Sequence, residues 1–175
     1  MDLARWFGDV AADKPAFVTI TGDITQGGGD EQFAAIGAAL LELDDTPWIP
    51  VAGNHDWYDG GTAWTKHVGP DNYAFDALGM HFIVWNMAMT EPQIIDYLRG
   101  AIAGVTSPIV ALTHAPPSPA VAEELARLHV AYVITGHAHS NRVVHHPGGV
   151  TEYNTEPLLM GGLDFTPAGY RVITA

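Results

Sequence analysis

Apolar residues recur along this chain in two rhythms. Continuous apolar runs at residues 16–20 (AFVTI), 48–52 (WIPVA), 108–112 (PIVAL) and 132–134 (YVI) predict short strands buried on both faces. Helical spacing appears at residues 2–12, with Leu3, Trp6, Phe7 and Val10, and at 31–43, with Phe33, Ile36, Leu40 and Leu43. It returns at 91–103, where Ile94, Ile95, Leu98 and Ile102 share a face behind Pro92, and at 119–128. Strands alternating with helices predict an α/β fold. Residues 73–75 and 81–86 predict a hairpin turning at 76–79, and His81 falls within it as a strand histidine. Short β-like pieces at 142–146, 150–154 and 170–174 would finish the sheet. His145 and His146 are neighbours on one of these, point to opposite faces, and read as structural or exposed.

The residues at the ends of the four buried runs carry the chemistry. The first run ends in Gly22-Asp23, the second in Gly53-Asn54-His55-Asp56, the third in Thr113-His114 and the fourth in Gly136-His137-Ala138-His139. An HxH alone carries little weight, and a GD after a strand is commonly a turn. Four strands presenting such groups from one end are another matter, because open α/β sheets place their sites there. The prolines of Ala115-Pro116-Pro117 cannot continue a strand, which leaves His114 at its tip. An Asn amide can ligate a cation without adding charge, and the neighbouring His55 can protonate a leaving oxygen if a carboxylate orients its ring.

The intervening loops are less specific. Residues 24–30 contain three consecutive glycines, but the Lys-Ser or Lys-Thr pair of a phosphate-binding P-loop is absent, so a flexible loop is expected. Residues 57–71 show no period and predict a surface loop. Trp57, Tyr58, Trp64 and His67 could line a pocket there, or pack a satellite cluster, which is the favoured reading for the two tryptophans.

Composition narrows the field. A chain of 175 residues, 47% hydrophobic, is long enough for one domain with its own core, residues 1–175. Seven Lys and Arg against a formal charge of −13 argue against nonspecific binding to nucleic acid or anionic membrane. Cysteine is absent, so any metal would be held by His, Asp and Asn, a set suited to manganese, iron or zinc. No apolar run is long enough to span a membrane and the first ten residues show no signal peptide, so a cytoplasmic location is the default.

The ordered set GD, GNHD, strand-end histidine and GHAH resembles the calcineurin-like metallophosphoesterase family. The resemblance implies a four-layer α/β/β/α sandwich, two mixed sheets flanked by helices, with two divalent metal ions at the strand ends. It further implies that Asp23 bridges the metals, that Asn54, His114 and His137 complete one site, and that His139 serves the other. His55 would act on the leaving group, with Asp56 as its orienting partner. Family members normally open with a strand carrying D-x-H, and no such motif precedes Asp23 here. A chain incomplete at its N-terminal strand is the expectation, with the second metal site weakened.

The resemblance implies one of two functions. One is a metal-dependent hydrolase of phosphomonoesters or phosphodiesters, acting through metal-activated hydroxide with His55 as general acid on a small molecule or phosphoprotein. The other is a weak or inactive relative that serves as a binding module.

Overall fold

In a computed structural model the described residues, 3–174, form a mixed α/β fold of helices and two sheets. The smaller sheet pairs β1 (Val18–Ile20) with β2 (Trp48–Pro50) in parallel. The larger has six strands: β3 (Tyr73–Ala77), β4 (Met80–Val84), β5 (Ile109–Leu112), β6 (Val130–Thr135), β7 (Arg142–His145) and β8 (Thr151–Asn154). Their spatial order is β3-β4-β5-β6-β8-β7. β4, β5, β6 and β8 run parallel, while β3 and β7 are antiparallel edges. The helices are α1 (Leu3–Ala12), α2 (Asp30–Leu40), α3 (Thr62–His67), α4 (Glu91–Ile102) and α5 (Pro119–Arg127).

Every residue of β5 is buried, as the continuous run predicts. Alternate side chains nevertheless go to different places. Ile109 and Ala111 pack with Leu98 of α4 and Leu125 of α5, whereas Val110 and Leu112 pack with Phe82, Val51 and Phe17 on the side of the small sheet. Two residues beyond Leu112, His114 continues the second face and so aims at the end of β1. A third cluster, Phe7, Val10, Leu40 and Leu43, joins α1 and the end of α2 to Val18, Ile20 and Trp48 of the small sheet. Full burial of side chains of this size stabilises by roughly 1.5–3 kcal/mol each, and it is the cluster of Val51, Phe82, Val110 and Leu112 that packs the small sheet on the larger one.

Residue 2, where the first helical stripe begins in the sequence pattern, lies outside the described residues. Of the four runs expected to be buried on both faces, β5 alone is buried throughout; β1 and β2 are half-buried and Tyr132 on β6 is exposed. The second stripe is α helix only to Leu40, and Leu41–Leu43 tighten into a 3-10 turn ahead of the left-handed Asp44. Residues 57–71 contain α3, whose first turn is held by the Asp59 carboxylate accepting from the amides of Gly61, Thr62 and Ala63. Its Trp64 is fully buried with Phe33, Ala52 and Ala63, so the tryptophans do form a satellite cluster. Residues 170–174 join no ladder. Their side chains dock instead: Tyr170 meets Trp6 edge to face at 6.2 Å and donates to Asp13 at 2.9 Å, and Arg171 lies over the Tyr153 ring.

Candidate metal centre

The four loops that leave β1, β2, β5 and β6 meet at one end of the two sheets. The Thr21 carbonyl, just past β1, accepts a hydrogen bond from His114 Nδ1 at 2.6 Å. The opposite ring nitrogen, His114 Nε2, faces Asp23 Oδ2 at 3.2 Å and His137 Nδ1 at 3.1 Å. Asp23, His114 and His137 each offer one ligand atom, all within 4.8 Å of one another.

Close approach dictates the glycines in the motifs. Gly22 has φ +92, and a Cβ there would sit 2.3 Å from His114 Nδ1. A Cβ on Gly53 would lie 2.2 Å from the Asp23 amide nitrogen and from its Oδ1. That proximity lets the amide of His55 donate to Asp23 Oδ1 at 3.0 Å and fix the carboxylate. Asp23, His137 and His139 all have left-handed φ, at 51, 60 and 47. Such backbone costs about 1–3 kcal/mol per residue and gathers where function demands it.

The electrostatics fit a cation. Burial pushes the Asp23 carboxyl up, but contact with His114 and the His55 amide outweighs it and leaves the group below 3.8. Burial, and then repulsion from His114, lowers His137 below 6.5 against the pull of Asp23, so its ring is neutral at pH 7 and has a lone pair to give. With its Nδ1 hydrogen on Thr21, His114 presents Nε2 to Asp23 and His137. Three atoms able to ligate a cation thus face one point. One residue before His55, whose amide holds Asp23, Asn54 Oδ1 is buried with no hydrogen-bond partner, a state that carries a penalty of about 1–3 kcal/mol unless something else satisfies it. A carboxylate, two imidazoles and an orphaned amide oxygen match the donor set of a transition-metal site.

Not every expected residue joins. His139 lies outside the Asp23, His114, His137 group, which is the one such group among the described residues. Its carbonyl accepts from the Leu163 amide.

Asp56 differs most from expectation. Rather than orienting His55, it is fully buried and accepts from the Thr25 amide at 2.8 Å, Thr25 Oγ1 at 2.9 Å, the Gly53 amide at 3.0 Å and the Ile24 amide at 3.2 Å. Burial raises its pKa above 3.8 despite these donors. Asp56 is therefore a tie between the loops after β1 and β2.

His55 is oriented by groups that its sequence neighbours do not announce. Its Nδ1 lies 2.8 Å from the Gln26 carbonyl oxygen, 3.1 Å from Gln26 Nε2 and 3.1 Å from the Tyr58 hydroxyl. The available signal is the glycine run beside Gln26. A Cβ on Gly28 would lie 3.1 Å from the His55 carbonyl, so the run lets this loop lie against the GNHD turn.

The fold and the site define a class: an α/β protein with Asp and His side chains gathered at its strand ends. The chain belongs to the calcineurin-like phosphoesterase family, whose model matches residues 2–141. That membership places it, at family level, among metal-dependent hydrolases of phosphate esters.

Solved structures share the fold at low identity. A dimetal phosphatase from Danio rerio aligns with a TM-score of 0.66 at 15% identity, over 87% of this chain and 77% of its own. Purple acid phosphatase PPD1 from yellow lupin seeds aligns at 0.70 and 13%, over 99% of this chain but 41% of its own. The anchor GAP50 of the Plasmodium inner membrane complex aligns at 0.63 and 16%, over 89% and 66%. No curated protein matches the chain. Among the described residues no helix is long and apolar enough to cross a membrane.

Proposed function

We propose that the chain hydrolyses phosphate monoesters or diesters with divalent cations held by Asp23, Asn54, His114 and His137, His139 contributing to a neighbouring position, and His55 acting as general acid. The observation that carries this reading is the convergence of ligand atoms of Asp23, His114 and His137 within 4.8 Å of one another, and it is supported by the buried Asn54 oxygen that has no hydrogen-bond partner. Manganese, iron or zinc would suit these ligands. Bound there, a divalent cation supplies Lewis acidity, which neutralises charge on phosphoryl oxygens and lowers the pKa of water.

The chain's own groups do the rest. The amide of His55 donates to the Asp23 carboxylate, which holds it in place and favours its ionised form. Gln26 keeps the His55 Nδ1 hydrogen on its carbonyl, which leaves Nε2 as the nitrogen that gives a proton to the leaving oxygen. After that transfer the ring is neutral and already in the tautomer that Gln26 favours, so no ring flip is required. Asp56 keeps the GNHD turn against the loop after β1.

The test is turnover of p-nitrophenyl phosphate and its bis-ester with manganese, beside His55→Ala. Metal-stimulated turnover that falls about 100-fold or more in the variant supports the reading. Turnover indifferent to metal or to His55 contradicts it.

A second reading is a binding module with little catalysis, favoured by the position of His139 outside the three-residue group. The fold is shared with an anchor as well as with phosphatases, so fold alone does not choose. Manganese binding without turnover would favour this reading.

A further inference from the structure

Asn154 closes β8 fully buried, and its carboxamide touches both ends of the turn that carries His137 and His139. Nδ2 donates to the Gly136 carbonyl and, at 2.8 Å, to Thr135 Oγ1. Oδ1 accepts from Ser140 Oγ at 2.7 Å. Behind this, Thr135 Oγ1 donates to Glu152 Oε1 at 2.8 Å, and Glu152 Oε2 meets His146 Nε2 at 2.8 Å. Thr135, Glu152 and Asn154 are at most 1% exposed.

The hydrogens in this network are all accounted for. Both amide hydrogens of Asn154 are used, the single Thr135 hydroxyl hydrogen goes to Glu152, and the Ser140 hydrogen goes to Asn154. A flipped amide would set its oxygen against the Gly136 carbonyl, acceptor facing acceptor, so the orientation is determined. Fully satisfied buried networks of this kind are rigid, and they are costly to disturb. The turn needs such support, because its two histidines hold left-handed backbone that L residues disfavour.

We propose that Asn154 is a positioning residue that staples Gly136 to Ser140 and thereby holds His137 aimed at Asp23 and His114, with Thr135, Glu152 and His146 fixing the staple from β6, β8 and the end of β7. The proposal rests on the reading of Asp23, His114 and His137 as a cation site. Groups that orient ligands rather than bind metal commonly change affinity about 10–100-fold when altered.

Two variants and a control test it on the full chain stripped with chelator. Asn154→Asp keeps the shape and the acceptor for Ser140 but removes both donated hydrogens, and Ser140→Ala removes one bond only. Glu124→Gln, which breaks the pairs to Arg99 and Arg127 on α4 and α5, controls for loss of stability. Calorimetric titration with Mn2+ alone is expected to show affinity about 10–100-fold weaker in Asn154→Asp and about threefold weaker in Ser140→Ala, and unchanged in Glu124→Gln. Amide hydrogen exchange at residues 137–140, measured without metal, is expected to quicken in both Asn154→Asp and Ser140→Ala. Wild-type affinity and exchange in both variants would overturn the proposal, as would equal weakening in the control. Should Asn154→Asp fail to fold, Ser140→Ala decides. Should the wild type bind no Mn2+, the cation reading falls, and the exchange of Ser140→Ala alone decides whether the staple holds the turn.

Discussion

His114 Nδ1 donates to the carbonyl of Thr21 across 2.6 Å, joining the end of β5 in the larger sheet to the end of β1 in the smaller. This one bond orients the ring so that Nε2, not Nδ1, reaches Asp23, and it makes the site a property of how the two sheets pack. His114→Ala is expected to weaken Mn2+ binding more than about 100-fold, beyond the usual loss for residues that only support a ligand. Calorimetry on the chelator-stripped protein reads this directly.

Gly53→Ala should be as damaging as removing a ligand. Its Cβ would enter the space of the Asp23 amide and carboxylate at 2.2 Å, and backbone on the other side cannot yield cheaply. Overpacking typically costs about 1–3 kcal/mol, here concentrated on the groups that hold Asp23. Denaturant unfolding is expected to show a loss in that range, accompanied by loss of Mn2+ binding. An alanine variant that binds Mn2+ normally would mean that the carboxylate does not need this geometry.

The sequence is most readable where one local rule decides the outcome. β5 and β6 arise from uninterrupted apolar runs, and α4 from a stripe behind Pro92, with Thr90 and Gln93 forming a capping box in the structure. The site motifs stand out because they end strands. The features that sequence pattern does not reveal depend on contacts made across the fold. Asp56 sits beside His55 in sequence, yet its carboxylate is drawn to the amides of Ile24 and Thr25 some thirty residues earlier. The partner of His55 is a backbone carbonyl, and every residue has one. α3 is hidden because its six residues are too short to show a period, although Asp59 before two glycines is a capping signal. The strand expected at 170–174 has suitable residue types, but Tyr170 and Arg171 are engaged by side-chain contacts with Trp6, Asp13 and Tyr153 and the segment pairs with no strand.

Trp64 is fully buried between Phe33, Trp57 and Ala63, and it anchors the small α3 to the body together with Lys66 and His67, which meet Asp30. Trp64→Ala is expected to destabilise by about 3–5 kcal/mol in urea unfolding. A loss below about 1 kcal/mol would show that the 57–71 region folds independently of this side chain.

Glu124 provides a pH signature unconnected with the site. Its side chain is 5% exposed and its carboxylate accepts from Arg99 Nε at 2.7 Å and Arg127 Nη1 at 3.1 Å. The hydrogen bond from Arg99 outweighs burial and holds the group below 4.5. A carboxylate whose pKa is lower in the folded chain than in the unfolded one binds fewer protons when folded. Its contribution is therefore complete above the unfolded value and fades as pH falls through the folded one. The stability difference between wild type and Glu124→Gln should be constant above pH 4.5 and shrink below it. A difference that grew on acidification would reverse the sign and refute the pairing.

The claim on which the rest depends is that Asp23, Asn54, His114 and His137 hold a divalent cation between the two sheets. Titrating Mn2+ into chelator-stripped protein, beside Asp23→Asn, tests it most directly. The account predicts saturable binding by the wild type and at least a tenfold loss in the variant. Binding that is absent, or equal in the two proteins, would contradict it.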